Sequence, residues 1–583
     1  MAGSSGLLPR GPATLLQAVE WPWDCFAGLP QQDAQRALDK LQAGVVLTSS
    51  FSGVGGAETA LACLVAAAKG GDASDAPRPA SPSPAPRPDG VWDEVLSASS
   101  LSVEEDDEVP DLVEEADDDD KKNDPIKENV VVVMYSATDN DPLCRQALLA
   151  HPHESTPQHV FRDVLERVPD DVLARLKAIE SSKFKAMPAR RRSACIDVEG
   201  DNVNDDDVAD EGAGIDERIR KCELGAELVA ELRKELESTR FNETVWCVRH
   251  NAYCHVHPRS NASLAGFMHL EVAGPCCPPW SSMSARQDRW LSQATLPALV
   301  WAYSARHAGV DIIVHENAPG WDEEPTRQIF AGQANGARRR SNCVGSMYGP
   351  GASVFGCYQP PPLCPTMFGR PSRRKRKYTM FIRRHGFHLA LPPVTTFAEA
   401  FEQAFVRARS LGMVEYVCAP EPLVLDHAEQ LVRDQGFDMD ATEIDAGMAM
   451  RSGEAVRSFG YQRLAESKGL VEDGVWNCPV ALVNLAQASS HIKQVDTANA
   501  PALMTRSILF DLVRQRMLVD EEYWLIQGYA PPRLLHSRLE HLFPARELHL
   551  SSKQARHLAG NGMHLTCVGS MILAALAFTE RAE

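Results

Sequence analysis

FMHLEVAGPCCPPWSSMSAR, residues Phe267 to Arg286, begins as a strand and breaks into a stiff loop. Met268, Leu270 and Val272 alternate with His269 and Glu271, the period of an extended chain with two different faces. Gly274-Pro275 ends the alternation, and two adjacent cysteines, Cys276 and Cys277, follow before two prolines, a tryptophan and two serines. A thiol on a Gly/Pro-stiffened loop just past a strand is well placed to act as a nucleophile over the carboxyl edge of an α/β sheet. Cysteine is also a common buried residue, so the neighbouring sequence has to decide between the two.

Upstream, GVVLTSSFSGVGGAETALACLVAAA (from Gly44) reads as strand, glycine-rich turn and helix. Gly53, Gly55 and Gly56 allow a ligand close to the backbone, and the helix start offers free N–H groups. No Gly-Lys-Ser/Thr follows, so this is not a phosphate loop of that kind, and Glu58 stands where a dinucleotide fingerprint needs glycine. Next, VVVVMYSATDND is a continuous apolar run ending in Asp139, and His159 to Asp163 is a short strand closed by a second acid. Downstream, a helix over Leu291 to Ala308 leads into VDIIVHENAPGWDEE, a buried strand ending in Glu316-Asn317. FGRPSRRKRKYTMFIRR carries the basic run Arg373 to Lys377 into a strand whose arginines point into a cleft, and Arg338-Arg339-Arg340 lie in the loop before it. A helical stretch over Arg516 to Gln527 and a closing Gly-rich turn and apolar helix, ARHLAGNGMHLTCVGSMILAALAF, complete the pattern.

The 583 residues suffice for a large core with insertions. The reading proposes no membrane span and no secretory signal, and takes the fifteen cysteines as reduced thiols. The net charge of -20 is concentrated: between Asp72 and Glu128 there are 19 acidic and 5 basic residues, a local net of -14, so a basic cleft elsewhere is not excluded. This segment, with its proline-rich PRPASPSPAPRP, is expected to be a disordered acidic insertion at 70–128, and protein partners are expected to bind through such insertions. A second insertion at 170–240 is helical at Val172 to Ile179 and Ile219 to Glu237, around an acidic middle. In WCVRHNAYCHVH, Cys247, His250, Cys254, His255 and His257 suit zinc by donor type, but their spacing fits no standard finger, and no metal is assigned.

In order, FSGVGG at 51–56, GPCCPPWS at 274–281, HENAPG at 315–320, PSRRKR at 371–376, RMLVDEE…IQG at 516–528 and AGNGM at 559–563 resemble the motifs of the cytosine-C5 DNA methyltransferases. The resemblance covers most of 44–583 outside the acidic insertions. It implies a doubly wound, mostly parallel α/β sheet, the S-adenosylmethionine-dependent methyltransferase fold, with a smaller target-recognition domain. The expected division is an N-terminal leader at 1–43, a catalytic core at 44–385, a target-recognition region at 386–499 and a C-terminal return to the core at 500–583.

The same resemblance implies that Cys277 is the nucleophile, Glu316 the acid beside ring nitrogen 3, and Arg374 and Arg376 the pair that holds base and loop. It implies S-adenosyl-L-methionine as cofactor, held by Phe51, Gly53, Gly55, Gly56, Asp139 (ribose hydroxyls), Asp163 (adenine), Asn561 and Met563. DNA is the implied partner and the nucleus the expected compartment. An acid cap on a helix or loop is the competing reading of Asp139 and Asp163. Departures stand at Ser49-Ser50 for Asp-Leu, Cys276 and Pro278 for proline and glutamine, Ala318 for valine, Ser372 for glutamine and Leu525 for arginine. None removes a bond-making group, but Pro278 and Ser372 bear on loop closure and so on rate. Two rivals stay open: the same chemistry on tRNA, and a catalytically silent DNA-binding scaffold.

Overall fold

Val45 to Ser50, apolar in its first half and buried throughout, becomes the central strand β1 (Val45–Ser50) of a nine-stranded sheet. The computed structural model describes residues 8–70, 130–187, 211–258, 261–281, 288–331, 354–436, 449–490 and 494–582. The remaining strands of the sheet are β2 (Val132–Thr138), β3 (His159–Phe161), β4 (Thr244–Cys247), β5 (Ala252–His255), β6 (Met268–Ala273), β7 (Ile312–Asn317), β8 (Phe355–Tyr358) and β9 (Lys377–Arg383). Their order is β5-β4-β3-β2-β1-β6-β7-β9-β8. β3, β2, β1, β6 and β7 run parallel, while the β4–β5 hairpin and the β8–β9 pair are antiparallel additions at the two edges. This is the mixed, mostly parallel, doubly wound sheet expected from the sequence.

Both faces are covered, as a parallel sheet requires. Ile312, Val314, Met380 and Ile382 face one core, with the helices Gly56–Lys69 and Leu565–Ala577; Ile313 and Phe381 face the other, with the helix Thr295–Ala308. The chain winds outward from β1 to β3 and then returns to β6 on the other side of β1. The strand order therefore reverses between β1 and β6, and ligands bind outside the carboxyl ends at such a reversal. β9 runs the other way, with Asn317 opposite Lys377, so the residues that precede it arrive at that same edge.

Residues 8–43 are largely helical and packed. Their helices Trp21–Gly28 and Gln31–Ala43 pack into the first core, where Trp21 is fully buried and a Cβ on Gly569 would lie 1.9 Å from its ring. Within the expected recognition region, Phe397, Phe401, Phe405, Met413 and Tyr416 also join the first core. A separate small core, with Tyr461, Ala465, Val483, Phe510 and Met517, surrounds a three-stranded sheet at 482–484, 509–511 and 516–517, so it extends past 499. Arg516-Met517 is consequently strand, and the expected helix there is confined to Asp520–Ile526. In the second insertion, the helices Asp170–Lys185 and Glu211–Glu237 pack on each other. The acidic segment 71–129, residues 188–210, Arg338-Arg339-Arg340 and the end of the cysteine loop at 282–287 lie outside the described residues.

The apolar C-terminal stretch Ser552–Ala577 is 94% buried inside the protein over its most apolar window, and it is broken into two helices at 562–564. It is a core element here.

Candidate active site

The glycine-rich turn after β1 is held in a conformation that its sequence makes feasible. Gly53 and Gly55 have φ of 58° and 76°, in the left-handed region open to glycine, and Phe51 is held there too at 58°. A non-glycine residue in that region is a strained one, of the kind that collects around binding sites. A Cβ on Gly53 would lie 2.9 Å from the carbonyl oxygen of Asn561, so the turn and the C-terminal segment approach each other backbone to backbone. Met563 is buried against Gly56, and a Cβ on Gly274 would lie 2.7 Å from its Cε and 3.0 Å from Glu316 Oε2.

Asp139 follows β2 at the same edge, 6% exposed. One carboxylate oxygen accepts from the Gly53 amide at 2.7 Å and the other from the Asp141 amide at 2.9 Å. Burial outweighs these bonds and pushes the carboxyl up to about 6. Asp163 is half-buried and caps the turn Val164–Arg167, accepting from the Leu165 amide at 2.9 Å; the capping reading thus describes one of its oxygens. The Asn561 side chain is exposed and donates to Cys144 Sγ at 3.2 Å.

On the other side of β1, Cys277 ends the break after β6 and starts the short turn Pro278–Trp280. The loop is pinned at both ends. Asn317 donates its amide to the Pro275 carbonyl at 2.9 Å, and Trp280 packs between Trp290 and Trp321 at 5.2 and 4.1 Å. Cys276 is exposed and Cys277 half-buried against the second core. Burial raises the Cys277 thiol above its ordinary range; Arg376 and Arg374 pull against that, and Glu316 adds to it. Glu316 closes β7, 7% exposed, and pairs with Arg376 at 2.9 Å.

The two arginines have separate tasks. Arg376 faces Glu316 and the thiol. Arg374 is buried and donates to three backbone carbonyls, of Leu503 at 2.7 Å, Gly562 at 2.8 Å and Gly560 at 3.2 Å. It ties the smaller sheet's connection and the C-terminal turn to the strand edge. Asn317 is structural, bonding its own loop and the next.

Residues to which the sequence reading gave no site role build the floor. Arg167 donates to Ser50 and Thr138 at 2.9 Å each and to Ser304 at 3.0 Å; Glu271 accepts from Ser50 at 2.7 Å, from Trp301 at 3.0 Å and from Thr48. Ser49 donates to the buried Glu58, whose carboxyl burial pushes up to about 7. The serine pair that ends β1 thus anchors two buried acids, and its sequence signals were polar residues inside a buried strand and the departure noted at Ser49-Ser50.

No family model matches the chain, and no curated protein matches it. Among solved structures it is similar to the S. pombe Dnmt2 methyltransferase, at 11% identity over 91% of this chain and 97% of that one, with a TM-score of 0.33. It is also similar to the Entamoeba histolytica methyltransferase EhMeth, at 10% identity over 91% and 97%, with a TM-score of 0.33.

Proposed function

We propose that this protein transfers a methyl group from S-adenosyl-L-methionine to carbon 5 of cytosine in DNA. The observation that carries the reading is the Arg376–Glu316 ion pair beside the Cys277 thiol, one strand away from a glycine cradle at the point where the strand order reverses.

The cradle suits an uncharged-backbone approach by an adenosyl group better than a phosphate. Gly53 and Gly274 let the turn, the C-terminal segment and Glu316 close on one another, and the buried Asp139 beside them offers acceptor oxygens suited to ribose hydroxyls. By the family resemblance Phe51, Gly55, Gly56, Asp163, Asn561 and Met563 would complete the cofactor's contacts. Bound there, the cofactor supplies an electrophilic methyl group on a sulfonium.

Carbon 5 of cytosine is too poor a nucleophile to take that methyl unaided. The Cys277 thiolate adds to carbon 6, forming the S–C6 bond and pushing the ring's π electrons toward carbon 5 and nitrogen 3. A proton carried by Glu316, which Arg376 orients, is donated to nitrogen 3 as charge gathers there and returns to Glu316 when the adduct collapses. Arg376 also favours the thiolate over a thiol that burial would keep protonated. After carbon 5 has bonded the methyl, a base removes the carbon-5 proton, the S–C6 bond breaks, and the thiolate leaves. The base must be flipped out of a duplex to reach Cys277. DNA is favoured by the separate small core between Leu431 and Met517, an accessory region larger than a minimal tRNA-acting form should need.

The test is methyl transfer from labelled cofactor, assayed side by side on unmethylated DNA, hemimethylated DNA and tRNA. Transfer to DNA that depends on Cys277 supports the reading. Transfer to tRNA alone moves the substrate, and no transfer by a folded, cofactor-binding protein makes the chain a silent scaffold.

A further inference from the structure

The sheet edge farthest from β8 carries a cluster of donors that the proposed reaction does not use. His159 on β3, Cys247 at the end of β4, His250 in the hairpin turn and Cys254 on β5 present ligand atoms that all lie within 4.8 Å of one another. The Cys247 and Cys254 sulfurs are 3.6 and 3.4 Å from His250 Nδ1. Zinc with two thiolates and two imidazoles, at Zn–S about 2.3 Å and Zn–N about 2.0–2.1 Å, separates its tetrahedral ligands by roughly 3.3–3.8 Å. Cys247 is fully buried, and His159 Nδ1 is buried with no hydrogen-bond partner among the described residues. Of the five candidates in WCVRHNAYCHVH, His255 and His257 are left out, and His159 arrives from a different strand.

The hairpin has physical need of such a tie. β4 and β5 are four residues each, and Ala252, Tyr253 and His255 on the outer strand are exposed. β4 meets β3 through Phe161 opposite Cys247 and a bond from the Val248 amide to the Val160 carbonyl at 2.8 Å, and the hairpin's flanks are held by Ser136 donating to the Val256 carbonyl at 3.0 Å and the Asn242 amide donating to the Arg167 carbonyl at 2.8 Å. The apolar core beneath is Phe161, Val245, Cys247 and Val256. A two-stranded hairpin with so little burial is marginal alone. The donor types also select the ion: two thiolates and two imidazoles suit zinc, and two thiolates neutralise its charge at a partly buried edge.

We infer that His159, Cys247, His250 and Cys254 form a structural zinc site that fastens the β4–β5 hairpin to β3. With four protein ligands the site is closed, so its role is structural. Binding would deprotonate the two thiols, releasing protons to solvent, with no redox change. Because β3 leads directly to Asp163 and Arg167, the staple also steadies that side of the candidate active site.

The experiment is elemental analysis of the full-length protein purified without added metal and under reducing conditions, beside the Cys247→Ser/Cys254→Ser double variant and a Cys222→Ser control. The expected result is one zinc per chain in the parent and the control, lost in the double variant. Cobalt(II) exchanged into the parent should show thiolate-to-metal charge-transfer absorption that the double variant lacks. If the double variant does not fold, His159→Ala and His250→Ala, each leaving three ligands, should bind zinc more weakly in a chelator competition. Zinc absent from the reduced parent, zinc retained in the folded double variant, or unchanged chelator competition in the histidine variants would each overturn the inference.

Discussion

Titration of Asp139 should set opposite pH slopes for cofactor binding and for the stability of the ligand-free protein. Burial moves its carboxyl from an ordinary 3.8 to about 6 in the fold. Ribose hydroxyls donate to the ionised form, so binding requires the carboxylate and releases a proton where the group starts protonated. Between pH 7 and pH 5 the acid goes from mostly ionised to about ten-to-one protonated. Affinity for S-adenosylmethionine, or its demethylated product, should therefore fall about tenfold, which is about 1.4 kcal/mol. Ligand-free stability runs the other way. The folded state holds the proton up to about pH 6 while the unfolded chain loses it near 3.8, so stability falls as pH rises through that window. For this buried group alone the change is about 3 kcal/mol. Calorimetric titration at pH 5, 6, 7 and 8, with urea unfolding from pH 4 to 8, measures both. Asp139→Asn should bind more weakly at pH 7 and flatten both slopes, whereas Glu58→Gln, which removes the nearby acid held at about 7, should leave the binding slope in place. Binding independent of pH from 5 to 7, or a pH slope that survives in Asp139→Asn, would refute the ribose contact.

Other outcomes follow from single residues. Cys277→Ser should abolish methyl transfer while Cys276→Ser keeps most of it, and trapping on a 5-fluorocytosine duplex should require Cys277, because fluorine blocks the final elimination; an adduct mapping to Cys276 would reverse the assignment. Arg374→Met should cost about 2–4 kcal/mol in urea unfolding, because three buried carbonyls lose a charged donor, and should weaken cofactor binding through the 560–562 turn. Gly53→Ala should cost about 1–2 kcal/mol for its left-handed φ, and more where the new Cβ meets the Asn561 carbonyl, seen as a lower melting temperature with weaker cofactor affinity.

What was legible in the sequence is what depends on near neighbours. Strand, glycine turn and helix from Gly44, the Gly-Pro break before Cys277 and the apolar run into Glu316 each carry their own period and punctuation, and each lies at one sheet edge. Partnerships across long stretches of chain were not legible. Nothing near Trp21 announces that it packs on Gly569, so a core element read as a leader. His159 gives no sign in the sequence that it lies beside Cys247 and Cys254, and the five donors from Cys247 to His257 fit no finger by themselves. The arginine pair shows the same limit most sharply. Two residues apart, Arg374 and Arg376 read as equivalent on an alternating strand, but β9 begins only at Lys377, so pleating does not govern them. Arg374 turns toward carbonyls 129 to 188 residues away in sequence, while Arg376 meets Glu316 across the β7–β9 pairing. A loop can thus carry two identical side chains to different tasks, and the division is set by which distant backbone arrives beside it.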